Sequence, residues 1–263
     1  MENIHQENQA KPLAGKKAIV TGGNKGVGRG IVYALVKSGA DVLIIYNSSQ
    51  DFADETLIKA NEIRPDSTYL YKADISKREE VRGAVAMAID KLGGIDVLIN
   101  NAALQPNMLL EDYDIEMFKR IWNINIGGYF MMTQECLPYL KQSHSPRIIN
   151  TSSVHGVRPS LFDAGYSMTK SAIRMFTREA AIELAKYGIT VNCITLGACR
   201  IEGKTGGFGF PIHWLPETRT VTSHPLGITE PGDVGELAVF LAGEGGRIIS
   251  GTAIRQDGAS TLL

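Results

Sequence analysis

Apolar residues fall into two alternating rhythms along this chain. Short β-branched runs, apolar at nearly every position, are each followed by a longer segment with helical spacing. Runs of the first kind read as strands buried on both faces, and the segments between them as helices covering those faces. The runs at 17–21, 41–46, 67–71, 95–99, 147–151, 189–194 and 252–255 predict strands. Helical spacing covers 27–38, 51–63, 76–92, 164–186 and 231–241, and a longer stretch, open to interruption, covers 114–142. Ser76 is the expected N-cap of its helix, with Glu79 at the capping-box position. Repeated β-α-β units with right-handed crossovers predict an α/β fold, a doubly wound, Rossmann-like parallel sheet of about seven strands with helices on both faces.

No linker, repeat or low-complexity segment divides the chain, so residues 15–263 are expected to form one domain. Residues 1–14 read as a flexible arm, because the N-terminus is polar and lacks the apolar core of a secretory signal. With 263 residues, 44% apolar composition and a net charge of −1, the chain has the profile of an ordinary soluble globular protein. Nothing basic points to nucleic acid, and no uncharged apolar run reaches membrane-spanning length. Three scattered cysteines, Cys136, Cys193 and Cys199, fit a reducing cytoplasm, with neither a disulfide framework nor a metal site.

Ligands of doubly wound sheets bind outside the carboxyl ends of the strands, so the chemistry is sought there. The first run ends in Thr21-Gly22-Gly23-Asn24-Lys25-Gly26-Val27-Gly28. Glycines in such a turn let the backbone approach a pyrophosphate, and the following helix N-terminus presents free N–H groups to it. NAD sites usually place a carboxylate after the second strand, to bond the ribose 2′-hydroxyl. Here Tyr46-Asn47-Ser48-Ser49 follows, with no carboxylate before Asp51, and Lys25 is available to pair with a 2′-phosphate. This favours NADP(H) over NAD(H) as cofactor.

Tyr166 and Lys170 are spaced to share one helix face. A free phenol ionises near pH ~10, and a cation beside it favours the phenolate, so the pair can act as a general acid/base.

Taken together and in order, these motifs resemble the short-chain dehydrogenase/reductase family from about Leu13 onward. The resemblance rests on Thr21 to Gly28, Asp74, Asn100-Asn101-Ala102-Ala103, Asn125, Ser152-Ser153, and Tyr166 with Lys170. It implies that Asp74, beside Ile75, meets the adenine, and that Asn101 and Ala102 lie near the cofactor ribose. Asn125-Ile126-Gly127-Gly128 fits the family pattern where Asn123 does not, which implies that Asn125 holds a water for a proton relay to Lys170. Ser153, thirteen residues before Tyr166, is favoured over Ser152 as the group that bonds the substrate oxygen. No GxSxG elbow surrounds either serine, so neither reads as an acylating nucleophile. By the same resemblance Lys170 also bonds the nicotinamide ribose, and backbone groups near Gly197 to Arg200 are expected to make up for the carboxamide contact that a Thr normally gives after the sixth strand.

Three positions depart from the pattern: Ala103 stands where Gly is usual, Leu196 where Pro is, and Ile201 where Thr is. The Thr hydroxyl normally contacts the carboxamide. The implied activity is hydride transfer between NADP(H) and a small-molecule carbonyl or secondary alcohol, leaning towards a sugar or polyol because the pattern is similar to glucose 1-dehydrogenases. 3-Oxoacyl carrier-protein reductases share much of that pattern and are the alternative, beside a cofactor-binding homologue without catalysis. The Gly-rich stretch 203–224, with Phe208, Phe210, His213 and Trp214, reads as a substrate lid or as an insertion packed on another subunit. A homo-oligomer, tetramer or dimer, joined through 114–142 and 164–186, is implied as well.

Overall fold

The computed structural model describes residues 11–160, 164–201 and 225–262. The expected lid at 203–224 lies outside them. Seven parallel strands alternate with helices: β1 (Lys17–Thr21), α1 (Gly26–Lys37), β2 (Asp41–Tyr46), α2 (Gln50–Ile63), β3 (Thr68–Lys72), α3 (Arg78–Leu92) and β4 (Val97–Asn100) come first. α4 (Ile115–Trp122), a π-turn (Asn123–Gly127), α5 (Gly128–Leu140), β5 (Arg147–Ser153), α6 (Ala164–Leu184), β6 (Thr190–Leu196), α7 (Pro231–Ala242) and β7 (Ala253–Gln256) follow. The sheet order is β3-β2-β1-β4-β5-β6-β7. This is the doubly wound fold that the alternating rhythm predicts.

Side chains alternate across the sheet, so each central strand feeds both faces. Ala18 and Val20 of β1 pack with Ile31 and Leu35 of α1 and Val234 and Leu241 of α7. Ile19, between them, packs on the opposite face with Val81 of α3, Met132 of α5 and Leu184 of α6. Burial of each such side chain stabilises the fold by about 1.5–3 kcal/mol. This two-sided burial explains why the strand runs are continuously apolar.

Several local expectations need correction. Leu13, assigned to the arm, is fully buried, and its N–H donates to the Ser38 carbonyl at 2.9 Å. An apolar side chain two residues before the domain boundary finds the seam between α1 and α7, where polar composition alone cannot place it. The helix expected from Ser76 starts at Arg78, with Lys77 as an N-cap whose side chain makes no capping bond. Asp74 takes over the local capping instead. Its carboxylate accepts from the N–H of Ser76 at 3.0 Å and from its hydroxyl at 2.7 Å, while the Asp74 N–H donates to Glu80. The 114–142 stretch is interrupted, as it was open to be, by the π-turn at Asn123–Gly127.

Helices α1 and α7 touch backbone to backbone. A Cβ at Gly30 would overlap the Pro231 carbonyl, and one at Gly235 would overlap Ala34 and the Gly30 carbonyl. This contact fixes α1, and with it the turn that precedes α1. We expect Gly30→Ala to lower stability by about 2 kcal/mol, overpacking outweighing the gain of about 1 kcal/mol in helix propensity. Gly232, with nothing within 4 Å of its would-be Cβ, tests propensity alone. Gly232→Ala should leave the urea midpoint equal or higher, and equal midpoints for both variants would show that the close approach is not needed.

Candidate active site

β1 and β4 are neighbours whose connections run to opposite sides of the sheet, so a crevice opens at their carboxyl ends. Thr21 closes its floor. Its buried hydroxyl donates to the Ile99 carbonyl at 3.4 Å and accepts from the N–H groups of Asn101 at 2.9 Å and Ala102 at 3.1 Å. The Asn101 amide donates back to the carbonyls of Thr21 at 3.0 Å and Gly22 at 3.2 Å. The glycine turn is thereby fastened to the end of β4. Gly22 has φ +64° and its α-carbon faces Ala102, while a Cβ at Gly28 would overlap the Gly22 carbonyl. Both positions need glycine for close approach.

Asn24 straps the turn to the loop after β2. Its amide donates to the Ser48 carbonyl at 3.0 Å, and its own carbonyl accepts from Thr56 at 2.9 Å and from Arg29 at 3.2 Å. Arg29 is buried and paired with Glu55 at 3.1 Å, so its charge is committed. Lys25 stands exposed beside it, without an ion pair among the described residues. Helix α1 begins at Gly26 with no side-chain cap and no acidic residue in its first turn. Its uncapped N–H groups, at the wall of the cleft, are what an anion would find.

The cleft has a volume of about 890 Å³. Of the candidates named from sequence, all but Asn125 line it: the turn from Gly22 through Asn24 to Gly28, then Tyr46, Asn47, Ser48, Asp74, Ile75, Asn101, Ala102, Ser153, Tyr166, Lys170 and Gly197. Asn125 is fully buried behind the wall. Its amide oxygen accepts from the Leu104 N–H at 2.7 Å, and its nitrogen donates to the Leu104 carbonyl and the Thr169 hydroxyl, each at 3.0 Å. Thr169 in turn donates to the Tyr166 carbonyl at 2.7 Å. The side chain thereby helps to position the first turns of α6, and the π-turn is the backbone form that lets it do so.

β5 runs into the site fully buried and ends in two serines with different duties. The Ser152 hydroxyl donates to the Lys170 carbonyl at 2.7 Å and ties β5 to α6. Among the described residues the Ser153 oxygen accepts only the His155 N–H, at 3.2 Å, and it sits on the cleft wall. The Lys170 side chain is 2% exposed. Its Nζ donates to the Thr151 carbonyl at 2.9 Å, and it lies 5.4 Å from the ring centroid of Tyr166 and 5.8 Å from that of Tyr129. Among the described residues no carboxylate is paired with it. Burial pulls its pKa down to about 8, so it is still a cation at pH 7. A buried cation held by one carbonyl and two aromatic faces is costly, as expected of a functional site.

Sequence reasoning missed the far wall. The C-terminal turn Ser260–Leu262 reaches the cleft through Ser260 and Thr261. Asp257 holds that turn by accepting from the Thr261 N–H at 3.0 Å and hydroxyl at 2.7 Å. Arg158 spans to it, donating to the Ser260 carbonyl at 2.9 Å, and also lines the cleft, as do Arg120 and Gln105. An Asp four residues before Thr was a legible turn signal, but which wall the turn faces depends on β7 pairing with β6. Of the departures, Leu196 ends β6 opposite Gln256, and Ile201 lies with its Cγ2 against the Gly26 turn. An apolar contact replaces the usual hydroxyl.

Residues 16–205 match the family described as short chain dehydrogenase. A D-beta-hydroxybutyrate dehydrogenase of Cupriavidus necator is 33% identical over 255 residues, covering 94% of this chain and 98% of that protein. A 2,5-dichloro-2,5-cyclohexadiene-1,4-diol dehydrogenase of Sphingobium indicum is 32% identical, covering 95% and 99%. A short chain dehydrogenase from Burkholderia cenocepacia, solved in complex with NADP, superposes with a TM-score of 0.86 at 28% identity, covering 95% of this chain and 99% of that one.

The Lys170 geometry has a consequence for stability. Its folded pKa of about 8 lies below the ordinary 10.5, so the cost of burying the charge is fully present below pH 8 and is relieved between 8 and 10.5. Lys170→Met should therefore raise the Tm at pH 7, by about 2–4 °C for each kcal/mol recovered, and the gain should shrink as pH rises towards 10. Thermal scans across this range check it, and a lowered Tm at pH 7 would contradict the burial cost.

Proposed function

The chain belongs to the short chain dehydrogenase family and is an oxidoreductase of CH–OH and carbonyl groups, and on that premise we propose that it is an NADP(H)-dependent dehydrogenase in which Tyr166 is the acid/base. One observation carries this reading. Ser153, Tyr166 and Lys170 lie on the same cleft as the glycine turn and the uncapped start of α1.

The residues present fit a dinucleotide. The N–H groups at Gly26 to Gly28 would hold the pyrophosphate, and Asn101 and Ala102 border the ribose side. Preference for NADP(H) is supported by charge. Beyond Tyr46 the wall carries Asn47 and Ser48 and no carboxylate, Arg29 is spent on Glu55 and Asn24, and Lys25 remains to meet a 2′-phosphate. When bound, the cofactor supplies or accepts the hydride. The protein's part is to orient and to move a proton. Ser153 donates a hydrogen bond to the substrate oxygen. Tyr166 gives that oxygen a proton in reduction and removes it in oxidation. The Lys170 cation, set against the Tyr166 ring, favours the phenolate.

Polar groups at the substrate end, His155, Ser160, Ser260 and Thr261, support a hydroxyl-bearing substrate, as the sugar or polyol expectation requires. Met168, Met175 and Ile182 recur every seven residues along α6 and are 50%, 54% and 76% exposed, which supports a homo-oligomer through that helix.

Tyr166→Phe should cut kcat by about 10²–10⁴-fold and leave NADPH binding intact, as fluorescence titration would show. Retained turnover would remove Tyr166 from the chemistry. Lys25→Ala should weaken NADPH binding roughly tenfold and leave NADH binding as it is, since the lost charge-assisted bond is to the 2′-phosphate. Equal loss for both cofactors would refute the preference.

A further inference from the structure

The cofactor and the acid/base chemistry account for Lys25, Asp74 and Lys170 on the cleft wall. Two arginines are left over. Arg158 belongs to the turn that begins at Ser153, closed by its own N–H donating to the Val154 carbonyl at 2.8 Å. Among the described residues its guanidinium donates one hydrogen bond, to the Ser260 carbonyl, so it bridges the substrate end from the Ser153 turn to the C-terminal turn. No carboxylate pairs with it among the described residues. Arg120, on α4, also lines the cleft and makes no side-chain hydrogen bond or ion pair among the described residues. The nearest acid in its helix, Glu116, is taken by Lys119 at 2.8 Å. Asp74, at the opposite, adenine end, is the one carboxylate among the described lining residues.

Among the described residues, the cleft wall therefore carries two guanidinium groups and the Lys170 ammonium that no lining carboxylate but Asp74 could offset. A guanidinium fixed at one corner, in a partly desolvated cleft, still offers a planar pair of N–H donors, which matches a carboxylate. We infer that the substrate is a hydroxy acid or the corresponding oxo acid, sugar acids included, whose carboxylate is held by Arg158 with Arg120 adding to the field. This rests on the dehydrogenase reading above and names the class of alcohol within it. In oxidation the carbinol C–H leaves as hydride to NADP⁺ and the O–H proton passes to Tyr166. The carboxylate is unchanged and serves only to orient the carbon that reacts.

The test has a binding arm and a turnover arm. In calorimetry on the enzyme–NADPH complex, butyrate should bind about tenfold or more tightly than its neutral isostere butyramide, the difference expected for a charge-assisted pair. Arg158→Met should abolish that difference. Arg158→Lys, which keeps the charge and can still reach Ser260, should restore part of it and guards against mere damage to the C-terminal turn. In turnover, short hydroxy acids should exceed their methyl esters in kcat/KM by about tenfold, and the acid-to-ester ratio should fall towards one in Arg158→Met. Butyrate and butyramide binding alike, with neutral alcohols oxidised as well as acids, would overturn the anion site and leave the dehydrogenase standing. Selective butyrate binding with no hydroxy compound oxidised would do the reverse.

Discussion

A buried ammonium held by a backbone carbonyl is the constraint around which this molecule is arranged. Lys170 has left water, and the Thr151 carbonyl is the group that receives its proton donor. Such a charge is tolerable only if its surroundings are rigid and polarisable. β5 supplies the carbonyl at its last turn into the cleft, and Ser152 locks that strand to the helix bearing the lysine. Tyr129, fully buried, bonds the Thr151 hydroxyl and presents its ring face to the ammonium. Asn125 and Thr169 fix the preceding turn of α6, so that Tyr166 keeps its place beside the charge. What the sheet and five or six flanking side chains achieve together is one cation that cannot move away from one phenol.

The architecture was largely legible because its signals are local. Continuous apolar runs announce strands buried on both sides, and the glycine turn after Thr21 states its purpose by position. Strand β2 was read to the residue, Asp41–Tyr46, because all its positions but the first are buried and Gly39 precedes it. Roles that depend on a neighbour distant in sequence were not legible. That Leu104 engages both ends of the Asn125 amide could not be read from the Asn125 segment. Ser76 reads as a cap, yet Asp74 reaches it first. Leu13 reads as part of an arm, yet a seam between helices receives it. In each case a hydrogen-bond partner or a gap, set by the packing of other elements, decides between uses that the residue type allows.

The substrate end illustrates the same limit. Ser260 and Thr261 face the cleft only because β7 joins the sheet beside β6 and Asp257 turns the chain back. Arg158 acquires meaning only from that turn. The two ends of the cleft thus differ in origin. The cofactor end is written in contiguous motifs, whereas the substrate end is assembled from α4, the Ser153 turn and the C-terminus. Variation in those three segments can change the substrate without disturbing the acid/base pair.

The central claim is that Lys170 keeps the Tyr166 phenol ready to ionise. It is tested most directly by titrating the phenolate absorption of the NADP⁺ complex and subtracting the same titration of Tyr166→Phe. The expected difference is a single ionisation below the pH ~10 of a free phenol. A difference curve at or above that pH would mean that the buried ammonium does not act on Tyr166, and the acid/base assignment would fall with it.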